Sequence, residues 1–203
     1  MSMRPLRAIL PALTTAVVLT VTAGAASAAS LTVHDGKGDV WRDDQTASGE
    51  TFTKVGTRPN VDLLRTVVRH TTDRVVVRAT YTDLTKTGPW LAFFFRVRTN
   101  EGLRRDAAVD TMSKASGTQH LTKPNSSTEL SCKGMTHTID YLNNQIVVSI
   151  PRACLSNPRW IQVTIGAVAV KRDFSTSFVD NGQNASHRDP SANPDWSARI
   201  QRG

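Results

Sequence analysis

The chain has 203 residues, 39% hydrophobic and 6% aromatic, with a formal charge of +8. That hydrophobic share excludes wholesale disorder, and the length suits one domain with an adequate core. The cations are scattered and alternate with apolar residues; no aromatic-rich basic motif specifies nucleic acid, which leaves either a solvated sheet face or attraction to an anionic polymer.

The first 28 residues read as an export signal. Arg4 and Arg7 form a positive start, an uncharged and mostly apolar stretch follows, and Ala26-Ser27-Ala28 supplies the small residues a signal peptidase needs. The competing reading, a retained anchor, is opposed by Pro11, by the many Thr and Ala residues, and by an apolar run at the short end of what spans a bilayer. Cleavage after Ala28 leaves residues 29–203 as a single secreted domain and, without Arg4 and Arg7, lowers the charge from +8 to +6. No later stretch is apolar for long enough to cross a membrane.

"HDGKGDVW" (34–41) comes next. Asp35 and Asp39 offer carboxylates, and Gly36 and Gly38 let the backbone bend so that carbonyls can turn inward, as calcium requires. It is not an EF-hand loop, because Lys37 stands where a second ligand would be. Two readings stay open: a calcium loop, with Asp62 as a further ligand, or a glycine-rich corner whose aspartates cap backbone N–H groups. The polar stretch 45–60 reads as a loop.

Period-two alternation governs the rest, placing successive side chains on opposite faces of a strand. Residues 61–70 and "RVVVRATYTDL" read as a hairpin about a Thr-Thr-Asp turn, with Val75, Val77, Ala79 and Tyr81 sharing one face. Gly88-Pro89 marks a turn before "WLAFFFRVRT" (90–99), which aligns Leu91, Phe93, Phe95 and Val97. "LRRDAAVDTM" alternates more weakly. Residues 134–142 and 145–150 form a hairpin about Asn143-Asn144, residues that tolerate left-handed backbone. "PRACLSNP" is the sole helical candidate, one short turn near 151–156 between Pro151 and Pro158. Residues 159–173 are a long strand aligning Ile161, Val163, Ile165 and Ala167; "FSTSFVDN" closes the set, and 181–195 reads as a polar loop. Eight to ten short strands without a long helix predict an all-β antiparallel sandwich of jelly-roll type.

Cys132 and Cys154 are the two cysteines. In an exported chain an even count argues for a bond between them; a metal pair or catalytic thiol would need a CxxC spacing or a local His partner, and neither is present. Among the five histidines (34, 70, 120, 137 and 187) there is no HExxH, and neither a nucleophile elbow nor a phosphate-cradling loop occurs. No catalytic residue is assigned. Paired carboxylates can lie far apart in sequence, so a secreted hydrolase stays as the alternative to a binding domain. A sugar site would need aromatic platforms, for which Trp90, Trp160 and Tyr141 are the candidates, each weighed against a place in the core; Trp196 in "PDWSARI" is expected to pack the last segment onto the sheet.

"HDGKGDVW", followed some twenty residues on by "PNVDLLRTVVRHTTDRVVVRATYTDL", resembles the start of DOMON-like sandwiches, in particular modules related to family 9 carbohydrate-binding domains and glucodextranase C-terminal domains. The resemblance implies a structural calcium held by Asp35, Asp39 and Asp62. It also implies an extracellular polysaccharide or wall glycan as partner, while an anionic wall polymer is what the positive charge would attract. Gly36 stands where that family often has proline, and Val40 where it has a second aspartate. With "GDVW", "IPRACL…P.W" and a closing "D-x-W", the whole chain is similar to a class of small secreted actinobacterial proteins.

Overall fold

A computed structural model describes residues 29–46, 49–183 and 195–203. The expected export signal and most of the 181–195 loop lie outside the described residues. Within them the fold is all-β, with two antiparallel sheets face to face.

The smaller sheet has the order β1-β4-β5-β10-β9. Its strands are β1 (Ala29–His34), β4 (Leu63–His70), β5 (Arg74–Tyr81), β9 (Thr136–Asp140) and β10 (Gln145–Pro151). The larger sheet has the order β3-β2-β12-β11-β6-β7-β8, with β13 added against β11. It contains β2 (Trp41–Thr46), β3 (Gly49–Lys54), β6 (Trp90–Thr99), β7 (Arg104–Asp110), β8 (Thr118–Thr122), β11 (Trp160–Val170), β12 (Ser177–Asp180) and β13 (Ile200–Gln201). One 3-10 turn, Arg152–Leu155, follows β10.

The alternating residues meet between the sheets. Val75, Val77 and Ala79 of β5 face Leu91, Phe93, Phe95 and Val97 of β6 and Ile161, Val163 and Ala167 of β11, all essentially without solvent exposure. Removing a side chain of this size from water contributes about 1.5–3 kcal/mol, so this shared interior dominates the fold's stability. The Asn143-Asn144 turn is as expected: Asn144 takes φ 53°, and its side chain and carbonyl accept from Leu84 and Tyr81 N–H.

Two strands come from sequence without an apolar alternation. The 45–60 stretch is no simple loop: β3 pairs with β2 along its length. β8 pairs with β7 and buries Leu121 alone. Both lie at edges of the large sheet, where polar β-branched residues such as Thr51, Thr53, Thr118 and Thr122 suit a pleated strand with little core to face.

Cys132 and Cys154 are bonded, with Cα atoms 5.6 Å apart. The bond closes the β9–β10 hairpin against the 3-10 turn. Arg152 holds that turn from inside. It is 7% exposed, and its guanidinium donates to the carbonyls of Thr72, Asn157 (2.8 Å) and Pro158 (2.8 Å). The "PRACL" run is therefore a structural clamp on the β4–β5 turn. Trp196 and its neighbours dock as expected: Ser197 bonds Val163 through N–H and hydroxyl, both to its backbone.

Candidate metal centre and exposed faces

Where the chain crosses from β1 to β2 it leaves one sheet for the other. Asp35 lies just after β1, Asp39 just before β2, and Asp180 ends β12. Each of the three presents a carboxylate oxygen within 4.8 Å of the other two. Asp39 and Asp180 are buried, and Asp35 is half-buried, with both carboxylate oxygens shielded from solvent and no side chain donating to them.

Asp62, the third expected ligand, sits beside this group rather than among the three. Fully buried, it accepts the Gly38 N–H on both oxygens, at 3.1 and 3.2 Å, and so pins the loop tip. Gly38 has φ +76°, and a Cβ there would press on Thr57 at 3.3 Å, so both conformation and space favour glycine. Asp180 carried no local signal: it ends a short strand, more than a hundred residues beyond the loop it joins. A β-bulge at Leu64 shifts the β4–β5 register and frees Leu63 N–H, which Asp180 Oδ2 accepts at 2.7 Å.

The electrostatics follow from crowding. Burial first, then Asp39 and Asp62, push the Asp35 carboxyl up to about 8; the Gly36 amide offsets part of this. Burial first, then Asp35, push Asp180 up to about 9, against the Leu63 hydrogen bond. Tyr81, buried nearby, is raised too, by desolvation and by Asp180. Without a cation the group is forced towards protonation. The donor set is all oxygen, Lys37 is exposed, and both Asp35 carboxylate oxygens are shielded from solvent. Those residues fit a hard divalent cation, and flexible oxygen coordination is what calcium takes.

The three aromatic candidates do not form a shared platform. Trp90 opens β6 opposite Val170, whereas Trp160 opens the antiparallel β11 at the other end of the same pair. Trp90 packs against Phe174 at 4.6 Å with Arg172 beside it; Trp160 lies under Arg199 at 4.5 Å. Tyr141 belongs to the β9–β10 turn in the other sheet and donates its hydroxyl to the Ala115 carbonyl at 2.6 Å. Trp196 is stacked by Arg98 at 4.5 Å.

The outer face of the large sheet carries instead a shallow groove. Phe94, lying over Gly166, and Arg96 form its floor with Thr164 and Asn181, and it continues past Asp106 to His120. His120 donates from Nε2 to Asp110 (2.7 Å) and from Nδ1 to Glu129. Burial disfavours its charged form, but the Glu129 and Asp110 hydrogen bonds and charges outweigh it and raise the pKa. Both carboxylates are thereby engaged on one imidazolium, with no nucleophile among the hydrogen bonds of the described residues around it.

Among the described residues no helix is long and apolar enough to cross a membrane. No protein-family model matches the chain, and a comparison with curated proteins returns no significant match.

Proposed function

We propose that this protein is an exported, non-catalytic β-sandwich of the DOMON-like, family 9 carbohydrate-binding type that attaches to extracellular polysaccharide or wall glycan and is held together by a structural calcium ion. The observation that carries the reading is the meeting of Asp35, Asp39 and Asp180 at the crossover between the sheets, with both Asp35 carboxylate oxygens shielded from solvent. A site that joins two sheets and buries two of its three carboxylates suits a stabilising ion rather than a catalytic one. The export-type leader and the disulfide support an oxidising compartment.

The calcium half is tested by thermal melting of the purified protein in calcium and in EDTA. A calcium-dependent rise in Tm is expected, and identical melts would remove it. The binding half is tested by sedimentation with purified cell-wall material, where the protein is expected in the pellet.

A hydrolase reading has one observation behind it, the Asp110–His120–Glu129 contact in the groove. It is weaker because those carboxylates flank a shared histidine instead of facing each other across space for a glycosidic bond.

A further inference from the structure

The outer face of the small sheet differs from that of the large one. The four ion pairs between described residues, Arg42–Asp44, Arg96–Asp106, His120–Asp110 and His120–Glu129, all belong to the large sheet or its loops. The small sheet points Arg65 and Arg69 of β4 and Arg74 and Arg78 of β5 outward, and none of them is in a salt bridge with a described carboxylate.

Their register gives them an order. Arg65 is opposite Thr80, Val67 opposite Arg78, and Arg69 opposite Val76. An arginine therefore appears at every outward level, alternating between the two strands: Arg65, Arg78, Arg69, Arg74. Two residues along a strand advance about 7 Å, and the strands are about 4.8 Å apart, so successive arginine Cα atoms are about 8 Å apart along a zigzag. Arg65, Arg69 and Arg78 are exposed. Arg78 donates only to Gln145 and Arg74 to Ser149 and the Gly134 carbonyl, so their charges are unneutralised. The carboxylate of that outer face, Asp140, is at the far edge on β9 and caps its own turn through Leu142 and Asn143 N–H. Asp73, in the β4–β5 turn, accepts from the Thr71 hydroxyl.

We infer that this arginine ladder is a docking surface for a linear polyol-phosphate polymer of the extracellular wall. The inference rests on the reading above that the protein works on an extracellular polymer, and it names the face and the ligand chemistry. A phosphate is matched by the guanidinium fork, which donates two parallel N–H groups, better than a ring hydroxyl is. A three-carbon polyol puts six bonds between phosphorus atoms, about 7 Å when extended, taking about 1.5 Å per single bond; this equals the ladder's advance per level. Single-stranded nucleic acid shares that backbone spacing, but its tight binding also uses aromatic side chains on which bases stack. The residues between these arginines are Val67, Val76, Thr80 and Val147, with no aromatic ring among them.

The test is equilibrium binding of the purified protein to polyglycerol phosphate, with polygalacturonate, a single-stranded oligonucleotide of equal charge and neutral dextran as comparators. Polyglycerol phosphate should bind most tightly, and the affinity should fall with salt. Arg65→Ala, Arg69→Ala and Arg78→Ala should each weaken binding several-fold and lower the slope of log affinity against log salt by about 0.7. Arg69→Lys should retain the salt slope, while Arg96→Ala on the other sheet should change nothing. Unaltered melting curves will establish that the variants fold. If the protein binds wall material but the three alanine variants bind as well as wild type, the ladder is overturned and the broader reading stands. Equal or tighter binding of polygalacturonate or oligonucleotide overturns the phosphate-polymer assignment. Failure to bind wall material or any of these polymers overturns both.

Discussion

Asp180, at the end of β12 in the large sheet, accepts the backbone N–H of Leu63, the first residue of β4 in the small sheet, at 2.7 Å. The two residues are 117 apart in sequence. One carboxylate thus ties the sheets together while also standing among Asp35, Asp39 and Asp62. A buried charge so placed is costly unless it is protonated or neutralised by a cation.

Asp180→Asn separates those two roles. An amide oxygen still accepts from Leu63, but a negative charge is gone. In EDTA at pH 8 the variant should melt at or above the wild-type temperature, because the amide is buried neutral without taking up the proton that the raised Asp180 carboxyl needs on folding. In calcium the order should reverse: wild type gains about 2.7 kcal/mol at a hundredfold excess over Kd, and the variant gains little. Differential scanning calorimetry in the two buffers reads both outcomes, and a variant that responds to calcium as wild type does would remove Asp180 from the site.

The same crowding sets a pH dependence. The folded carboxyls of Asp35 and Asp180 sit at about 8 and about 9, above their ordinary value of 3.8. At pH 7 the folded, metal-free state therefore binds more protons than the unfolded one, and stability falls as pH rises through 8 and 9. Buried His70 is lowered below 6.5, by burial first and then by Arg152 and Arg202, so it opposes this fall only at the low end of the range, near pH 7. Urea midpoints measured from pH 7 to 9.5 should decline steeply in EDTA and much less in calcium, where the ion takes the place of the protons and only the raised His120 adds a fall near the low end of the range. A flat profile in EDTA would contradict the crowded carboxyls.

The strands of the core were legible because one face of each is buried, and a buried face imposes a period of two on the residues themselves: Leu91, Phe93, Phe95 and Val97 declare β6 without help. The disulfide was legible for a different reason, since two thiols in an oxidising setting have only each other. β3 and β8 were not, because edge strands make little demand on side-chain polarity. The acidic loop advertised Asp35 and Asp39 through their glycine neighbours. Asp180 was silent, since its role depends on strand order and on a bulge at Leu64, both long-range consequences of packing. Trp90 and Trp160 looked alike as strand openers, yet antiparallel pairing sends such residues to opposite ends of a sheet.

The Cys132–Cys154 bond closes a 22-residue separation around the β9–β10 hairpin. Replacing both cysteines with serine should cost about 3 kcal/mol, the loop-closure contribution expected for that length. Urea denaturation of the double variant measures it. Hydrogen exchange should place the added opening in β9, an edge strand with a single neighbour, and leave β6 and β11 protected.

Arg152 supplies the last expectation. Its guanidinium fills the carbonyls of Thr72, Asn157 and Pro158 from a nearly solvent-free position, and its backbone N–H bonds the Asp73 carbonyl. Arg152→Met keeps most of the aliphatic stem and removes every side-chain donor. Three carbonyls then lose a charge-assisted partner; where water cannot reach them, each such loss costs about 1–3 kcal/mol. The variant should therefore be destabilised by several kcal/mol, more than the disulfide removal. Arg152→Lys should recover only part of that, because one ammonium cannot reproduce the planar fork that reaches three carbonyls from a fixed plane. Equal stability of the lysine variant and wild type in urea titrations would mean that charge alone, and not the fork's geometry, holds the β4–β5 turn against the helical turn after β10.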